Sequence, residues 1–319
     1  MSARTAALEP LAHSRPSSGQ PPPASRASTL VVGTALKLLR ALPRPHRERF
    51  AAFIGWLTWT LRIRRGVAID NVRRAFPERT GAEHHRVARA AFSSMARAML
   101  ESVTSDLLSA QEVEQAVSVV DWKGLDVLLA GHKPVLIASG HLGSWELFAE
   151  VMARRGHVFS AVVRPLTGAF NEWLVRSRER AGVELIFQRG ALRNMLKALR
   201  RGRAVVQLID QALPGPEAVW VPFFGQPAST TPALSMAALR SGAPVYVVVA
   251  VRREGHLQML VEGPVPMPER PTREQTLEAH AAALTAILEA HVRSHPEQWL
   301  WLHRRWKGPQ IASRSNTPA

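Results

Sequence analysis

The chain has 319 residues, of which 46% are hydrophobic, so it is long enough to bury a substantial core. It contains 41 lysines and arginines against 25 aspartates and glutamates, a formal net charge of +16. The absence of cysteine excludes disulfide scaffolds, thiolate metal sites and cysteine nucleophiles. The positive charge indicates either a solvated arginine-rich surface or an anionic partner, such as phospholipid headgroups, a phosphorylated glycolipid, an acidic carrier protein or nucleic acid.

The N-terminal part of the chain divides into two segments. Residues 1–28 are rich in proline and serine and lack the apolar run of a secretory signal, which predicts a disordered leader. Residues 29–75 are apolar and basic, and we expect helices interrupted near Pro43 and Pro45. Their longest uncharged stretch, 50–61, is shorter than the roughly 20 residues that span a bilayer. Flanking arginines with Trp56 and Trp59 favour a helix on a membrane surface, and a helix packed in the core is the alternative.

The remainder of the chain predicts an α/β fold. A capping box at Thr80 and Glu83 opens a helix to about residue 105, and a shorter helix covers 109–117. A second capping box, at Thr272 and Gln275, opens a long helix that ends before Pro296. Between them strands alternate with helices, which predicts a mostly parallel central sheet flanked by helices. The expected strands are 135–138, 159–163, 184–187, 204–209, 244–252 and 257–262; the expected helices are 144–155, 171–181, 190–201 and 232–240, the last capped by Thr231.

The segment Ser-Gly-His-Leu-Gly-Ser-Trp-Glu, residues 139–146, carries the strongest chemical signal. It places His141 just after a buried strand and Glu146 in the first turns of a helix, at the sheet edge where ligands bind. A carboxylate on one ring nitrogen would fix the tautomer and leave the other nitrogen as a base. No serine stands in a nucleophile elbow, so activation of a substrate hydroxyl is favoured over a covalent acyl-enzyme. Local capping by both residues is the alternative.

Several further blocks, in the same order, resemble the lipid A late acyltransferases, the Kdo-dependent lauroyl and myristoyl transferases of the lysophospholipid acyltransferase group. The resemblance extends over residues 36–307. Its most specific part is Gly-His-Leu-Gly-Ser-Trp-Glu at 140–146. The other blocks are Asn71 with Ala-Phe-Pro-Glu at 75–78, Val-Arg-Pro at 163–165, Arg-Glu-Arg-Ala-Gly at 178–182, Asp-Gln at 210–211, Pro-Phe-Phe-Gly at 222–225 and Trp-Leu-His-Arg-Arg-Trp-Lys at 301–307.

This resemblance implies transfer of a fatty acyl chain from acyl carrier protein or coenzyme A to a hydroxyl of a glycolipid, most directly lipid A or its precursor. It implies a single acyltransferase domain over residues 29–308, followed by a polar tail at 309–319. It places the protein at the cytoplasmic face of the inner membrane, bound peripherally or monotopically, and requires no cofactor and no metal. The expected partners are the acyl donor, an anionic membrane surface and the glycolipid acceptor, with no nucleic acid.

The resemblance also assigns roles to single residues. His141 would be the general base and Glu146 its orienting partner, while Arg164 would bind an anionic group or polarise the thioester carbonyl. Substrate contacts are expected from Arg164, Asp210, Arg178, Phe223, Phe224 and Arg304. The alternatives are a surface ion pair for Arg164, a buried salt bridge for Asp210 and plain core packing for the two phenylalanines. The basic and aromatic residues 299–307 indicate either an edge at the headgroup level or a packed C-terminal strand, and His303 is expected to be structural.

Three positions depart from the family pattern. Leu142 and Ser144 replace an aromatic residue and an asparagine, and Ala212 stands where the family has a second acid. These changes leave acyl transfer intact but open other acceptors, such as a lysophospholipid, a phosphatidylinositol mannoside or a secondary-metabolite lipid. A non-catalytic basic membrane- or nucleic-acid-binding protein is the alternative of another class. The dispersed arginines argue against nucleic acid, and the lack of an HExxH motif disfavours a metallohydrolase.

Overall fold

The computed structural model describes residues 24–164, 167–188 and 190–306. Four helices open the chain: α1 (Arg26–Ala41), α2 (Arg44–Thr60), α3 (Arg65–Ala75) and α4 (Gly81–Thr104). The side chain of Ser25 caps α1, so the last residues of the predicted leader are helical. Residues 1–23 of that leader, and the predicted tail at 309–319, lie outside the described residues. The capping box predicted at Thr80 and Glu83 is confirmed.

The rest of the described chain alternates strands and helices as predicted. Its elements are α5 (Ala110–Ala116), β1 (Val117–Val119), α6 (Leu125–Ala130), β2 (Leu136–Ser139), α7 (Trp145–Arg154), β3 (Phe159–Val163), α8 (Ala169–Arg180), β4 (Glu184–Phe187), α9 (Ala191–Arg200), β5 (Ala204–Leu208), β6 (Val219–Phe223), β7 (Gln226–Thr230), α10 (Ala233–Ser241), β8 (Val245–Arg253), β9 (His256–Glu262) and α11 (Arg273–Ser294). The short elements β1 and α6 and the β6–β7 hairpin were not predicted. Pro222 and Pro227 face each other in that hairpin, and proline inside a run obscures a strand in the sequence.

Seven strands form one sheet in the order β1-β9-β8-β2-β5-β3-β4. The neighbours are parallel except for β8 and β9, which form an antiparallel hairpin. The mostly parallel α/β fold is therefore confirmed. Successive residues of β2 pack on opposite faces of the sheet, as strand geometry requires. Leu136 and Ala138 join a core with α9, α10 and α11, whereas Ile137 joins a core with α7.

The two C-terminal helices differ in how well their starts were predicted. The capping box of Thr272 and Gln275 opens α11, and its apolar positions Leu277, Leu284 and Leu288 are buried as expected. The predicted cap of α10 was wrong by one residue, because Pro232 occupies the N-cap position. The hydroxyl of Thr231 instead accepts a hydrogen bond from the backbone of Ala233 at 3.3 Å.

The tryptophans of α2 divide between surface and core. Trp56 is 49% exposed, whereas Trp59 is 8% exposed and packs edge-on against Phe92 with ring centroids 5.3 Å apart. One face of the helix thus packs in the core, as the second alternative predicted, and the other face is exposed. Within the described ranges no helix is both long and apolar enough to cross a bilayer.

Candidate active site

The register of two neighbouring parallel strands brings His141 and Asp210 together. Ser139, the last residue of β2, pairs with Leu208, the last residue of β5, and the backbone N–H of Ile209 donates to the Ser139 carbonyl at 2.9 Å. His141 and Asp210 each follow two residues after this aligned pair. Parallel strands that end in register present their next residues at the same sheet edge, so the two side chains meet there.

The carboxylate of Asp210 makes three hydrogen bonds. Its Oδ1 lies 2.8 Å from Nδ1 of His141, and its Oδ2 accepts from the backbone N–H of His141 at 2.7 Å and from Nε1–H of Trp299 at 2.8 Å. The Asp210 side chain is 1% exposed, whereas that of His141 is 17% exposed. The imidazole is therefore reachable from outside, while its partner is sealed within the core.

The environment of Asp210 keeps its carboxyl ionised. Burial raises the pKa, but the charge of His141, its two hydrogen bonds and the bond from Trp299 together lower the pKa to about 2. An ionised carboxylate can only accept hydrogen bonds, so Nδ1 of His141 carries the proton. In the neutral form of the imidazole, Nε2 then has a lone pair for a general base, and the side-chain nitrogen of Gln211 lies 3.2 Å from it.

A C-terminal strap, residues 298–301, holds the His141 loop in place. The N–H of Leu300 donates to the His141 carbonyl at 3.1 Å, and the N–H of Gly143 donates to the Gln298 carbonyl at 3.0 Å. Gly143 has φ of 61°, and a Cβ there would lie 1.9 Å from the carbonyl oxygen of Ala250. Only glycine permits this close approach of the loop to β8.

The structure corrects the expected role of Glu146 beside His141. Its carboxylate forms a two-pronged ion pair with Arg178 of α8, in which Nε of Arg178 donates at 3.0 Å, and it accepts from Nε1–H of Trp145 at 3.1 Å. The imidazole has Asp210 on Nδ1 instead, because the register of β2 and β5 brings the residue that follows β5 to the ring. Trp145 links the two pairs, since its ring lies 5.0 Å from that of His141. Arg178 therefore reaches the site, with Glu146 as its direct partner.

An apolar cavity opens beside these residues. Ser139, Trp145, Glu146 and Arg178 line it near the edge of the sheet that carries His141. It follows one side of α7, from Trp145 past Ala149 to Met152, which at the helical rise is about 10 Å. The rest of its wall is almost wholly apolar and comes from β2, β3, β5, β8, β9 and α6. The lining of the cavity therefore suits an apolar group, and its polar members are those closest to the edge of the sheet that carries His141.

The remaining predicted site residues lie in different places. Arg164 is exposed one residue beyond β3, at the same sheet edge as His141, and Arg304 is also exposed. Phe223 and Phe224 are buried core residues whose rings lie 4.9 Å apart, and neither lines the cavity. This packing agrees with the alternative of core packing and does not support the expected contact with substrate.

Of the two alternatives for residues 299–307, the headgroup edge does not hold for three members. Trp299, Trp301 and Arg305 are fully buried, and the guanidinium of Arg305 donates to Thr230 Oγ1 at 2.6 Å and to the Ser229 carbonyl. Burial lowers the pKa of Arg305 to about 10, although the charge of Asp210 opposes the shift. Lys307 lies outside the described residues. His303 has the expected structural role, because its Nε2 accepts from the N–H of Ala212 at 3.2 Å.

The two unusual residues of the histidine loop also face inward. Leu142 is fully buried, and its backbone forms an isolated antiparallel β-bridge with Trp299. The hydroxyl of Ser144 donates to Glu101, which in turn forms an ion pair with Arg252. Both side chains thus pack the loop against neighbouring elements. Among the residues that the structure describes, no group of three or more His, Asp or Glu side chains gathers as a metal site requires.

Two residues that contact the pair of His141 and Asp210 were missed in the sequence. Gln211 stands next to Asp210 in the chain, and Trp299 lies in the C-terminal block, but the sequence pattern does not show that both contact this pair. The position of Asp210 directly after a buried strand was the available signal for its role, and it suited a salt bridge equally well.

Comparison with known proteins gives consistent similarities. A family model described as bacterial lipid A biosynthesis acyltransferase matches residues 24–308. The chain is 27% identical over 257 residues to the lipid A biosynthesis palmitoleoyltransferase of Escherichia coli K12, covering 80% of this chain and 82% of the relative. It is 26% identical over 275 residues to the lauroyltransferase of the same strain, covering 85% and 89%. It is 24% identical over 267 residues to the lipid A biosynthesis myristoyltransferase of that strain, covering 81% of this chain and 79% of the relative.

Proposed function

Because the chain belongs to the bacterial lipid A biosynthesis acyltransferase family, and is therefore an acyltransferase, we propose that it moves a fatty acyl chain from a thioester to a hydroxyl of lipid A or its precursor. One observation carries the proposal. An imidazole whose Nδ1 is held by a buried carboxylate stands beside an apolar cavity. Base and chain-binding cavity together fit acyl transfer to a hydroxyl group.

The proposed reaction proceeds by direct attack. Nε2 of His141 removes the hydroxyl proton while the acceptor oxygen bonds to the thioester carbonyl carbon. The C–S bond then breaks, and the leaving thiolate takes the proton from the imidazole. Asp210 stabilises the imidazolium that forms between these steps, as a buried carboxylate does for a general base. General-base assistance of this kind typically contributes roughly 10²–10⁴-fold in rate.

Two arginines are candidates for the charge that develops on the thioester carbonyl oxygen. Arg164 directly follows β3, at the sheet edge that carries His141, and its exposure leaves it available to substrate. Arg178 borders the cavity but is held by Glu146. We assign Arg164 to the carbonyl or to an anionic substrate group, and the Glu146–Arg178 pair to positioning at the cavity mouth.

The N-terminal helices form the proposed membrane-binding face. Large apolar side chains of α1, α2 and the turn after α2 are exposed, among them Phe53, Trp56 and Ile63. Arg64 belongs to the same turn, and its Nη1 donates to the carbonyl of Leu302 at 3.0 Å. The face therefore adjoins Leu302, the residue that follows the strap. Apolar side chains with arginines suit peripheral binding to anionic lipid, which would deliver the acceptor to the base.

The acyl donor in the proposal is acyl carrier protein or coenzyme A. Both are anionic, and a chain of net charge +16 attracts either of them electrostatically. The attraction weakens as salt screens it, so KM for the donor should rise with ionic strength.

The decisive experiment measures lipid products by mass spectrometry. Membranes from cells that make the wild-type protein are compared with those from cells that make His141→Ala, or His132→Ala as a matched control. We expect an added acyl mass on a lipid A species with wild type and control, and none with His141→Ala. An added acyl mass on a different lipid would identify that lipid as the acceptor in place of lipid A. Unchanged lipids in all cells, with folded protein and lipid A present, would refute the activity.

A second experiment tests the cavity. Ala149→Leu places bulk at the middle of the α7 wall and should shift the transferred chain towards shorter lengths. Ala130→Leu adds the same bulk at an exposed position of α6 and should leave the chain length unchanged. The same chain length from both variants would place the acyl chain elsewhere.

A third experiment tests the membrane face. Phe53→Asp and Trp56→Asp should reduce sedimentation with phosphatidylglycerol vesicles, and neither should unfold the protein, because both side chains are about half exposed. Val127→Asp, at an apolar position of α6 that is 70% exposed, is the matched control. Equal binding by all variants would show that another surface contacts the membrane.

A further inference from the structure

Both ring nitrogens of His141 have a partner from the same strand end. Asp210 contacts Nδ1, and the next residue, Gln211, places its side-chain nitrogen 3.2 Å from Nε2. The catalytic lone pair is therefore occupied when no substrate is bound. The Gln211 side chain is half-buried, so it has room to move away.

The direction of this hydrogen bond follows from the groups involved. The Asp210 carboxylate accepts, which places the proton of the neutral imidazole on Nδ1 and leaves only a lone pair on Nε2. A glutamine amide nitrogen carries two hydrogens and cannot accept. Gln211 must therefore donate an N–H to the very atom that removes the acceptor proton.

We propose that Gln211 is a positioning residue that caps the base until the acceptor hydroxyl displaces it, and that this cap suppresses reaction of the thioester with water. The inference rests on the proposed acyl transfer. In the unwanted reaction a water oxygen bonds to the carbonyl carbon, the C–S bond breaks, and the proton passes through Nε2 to the thiolate. The products are a free fatty acid and a thiol.

The cap discriminates because the two nucleophiles differ in binding energy. A lipid hydroxyl arrives with the contacts of its whole molecule, which can offset the loss of the amide hydrogen bond. Water brings no such contacts and must displace the amide unaided. A net hydrogen bond of ordinary strength corresponds to roughly five- to tenfold in the partition between hydrolysis and transfer.

The test substitutes Gln211→Met, which keeps the size of the side chain but cannot donate. Gln258→Met, on β9 away from His141, is the matched control. Each protein receives a long-chain acyl-CoA and a dispersed lipid A precursor, and mass spectrometry measures free fatty acid against acylated lipid. We expect the ratio to rise about five- to tenfold in Gln211→Met alone. An unchanged or lower ratio would overturn the proposal.

A second measurement does not depend on turnover. ¹⁵N NMR of histidine-labelled protein should show the His141 proton on Nδ1, and Gln211→Met should move the Nε2 resonance while Gln258→Met does not. A proton on Nε2, or an Nε2 resonance that Gln211→Met leaves in place, refutes the cap whatever the enzyme transfers. A confirmed cap in a protein that modifies no lipid would instead refute the proposed function.

Discussion

Nδ1 of His141 lies 2.8 Å from Oδ1 of Asp210, although 69 residues separate them in the chain. Glu146, which the same loop carries five positions after His141, pairs instead with Arg178. The proposed base and its carboxylate partner thus follow two adjacent strands and do not come from one helix start. Their relationship depends on strand register, and Asp210 should matter more to catalysis than Glu146.

Asp210→Asn should abolish most of the activity. An asparagine can turn its NH₂ towards Nδ1, which would move the ring proton to Nε2 and remove the base, and it cannot stabilise an imidazolium. We expect kcat to fall by roughly 10³- to 10⁴-fold, measured as acyl transfer to the lipid acceptor. Asp106→Asn, which removes a surface carboxylate paired with Arg40, should retain nearly full activity. A small loss in folded Asp210→Asn would exclude the carboxylate as the orienting group.

Glu146 and Arg178 should behave as one unit in a double-mutant cycle. Glu146→Gln leaves the guanidinium free to move, and Arg178→Met leaves the carboxylate unpaired beside the cavity. Each single variant should lower kcat/KM, and the double variant should be no worse than the worse single. We expect a coupling energy of about 0.5–3 kcal/mol in the transition-state free energy. Losses that multiply would instead give the two residues independent roles.

The fold was predictable because it depends on local signals. Capping boxes at Thr80 and Thr272 mark helix starts through their own side chains, and the alternation of apolar runs identifies the strands. The site was predictable only in part, since His141 and Asp210 are joined by the alignment of Ser139 with Leu208. A sequence does not show such a pairing. Proximity along the chain therefore favoured Glu146 as the partner of His141.

The sequence left the burial of the C-terminal block as one of two alternatives for a related reason. Arginine and tryptophan together are typical of a membrane edge, but Arg305 satisfies its charge with oxygens of Ser229 and Thr230 on β7. The sequence gives no sign that a hairpin with two prolines would supply those acceptors. Composition alone therefore does not distinguish a buried arginine from one at a membrane edge, and the tertiary contacts are needed to decide.

Gly143→Ala should destabilise the fold strongly. The new methyl group would lie 1.9 Å from the Ala250 carbonyl oxygen, at a backbone conformation of φ 61° that alanine disfavours. We expect a loss of at least about 3 kcal/mol in the free energy of unfolding, measured with urea, or no folded protein. Gly66→Ala, in α3 with open space around it, should stabilise by about 0.5–1 kcal/mol. An unchanged midpoint for Gly143→Ala would contradict the close approach.

Asp210 should also stabilise the fold in a pH-dependent way. Its pKa is lowered from 3.8 to about 2 in the folded protein, so the unfolded chain binds the proton more readily. The stabilisation is present above about pH 4 and is lost as the pH falls towards 2. From the size of the shift it amounts to about 2 kcal/mol. The stability difference between wild type and Asp210→Asn should shrink by that amount over this range, and a constant difference would contradict the low pKa.

Buried His280 should make the protein less stable on mild acidification. Its Nδ1 lies 2.9 Å from the hydroxyl of Ser235, and the side chain is fully buried between α11 and α10. Burial lowers its pKa from the ordinary 6.5, against a smaller opposing effect of the Val265 backbone. The unfolded chain therefore takes up the proton first, and stability falls as the pH drops through 6.5. Burial lowers the pKa of His157 and His291 too, and they act in the same direction.

Comparison with His280→Leu isolates this contribution. The variant leaves Ser235 without its partner, a cost that does not depend on pH in this range. Urea unfolding at pH 8 and at pH 5.5 should show a larger loss of stability for wild type than for His280→Leu, because the variant has no imidazole to protonate at that position. Equal losses would mean that His280 is protonated as easily in the folded protein as in the unfolded chain.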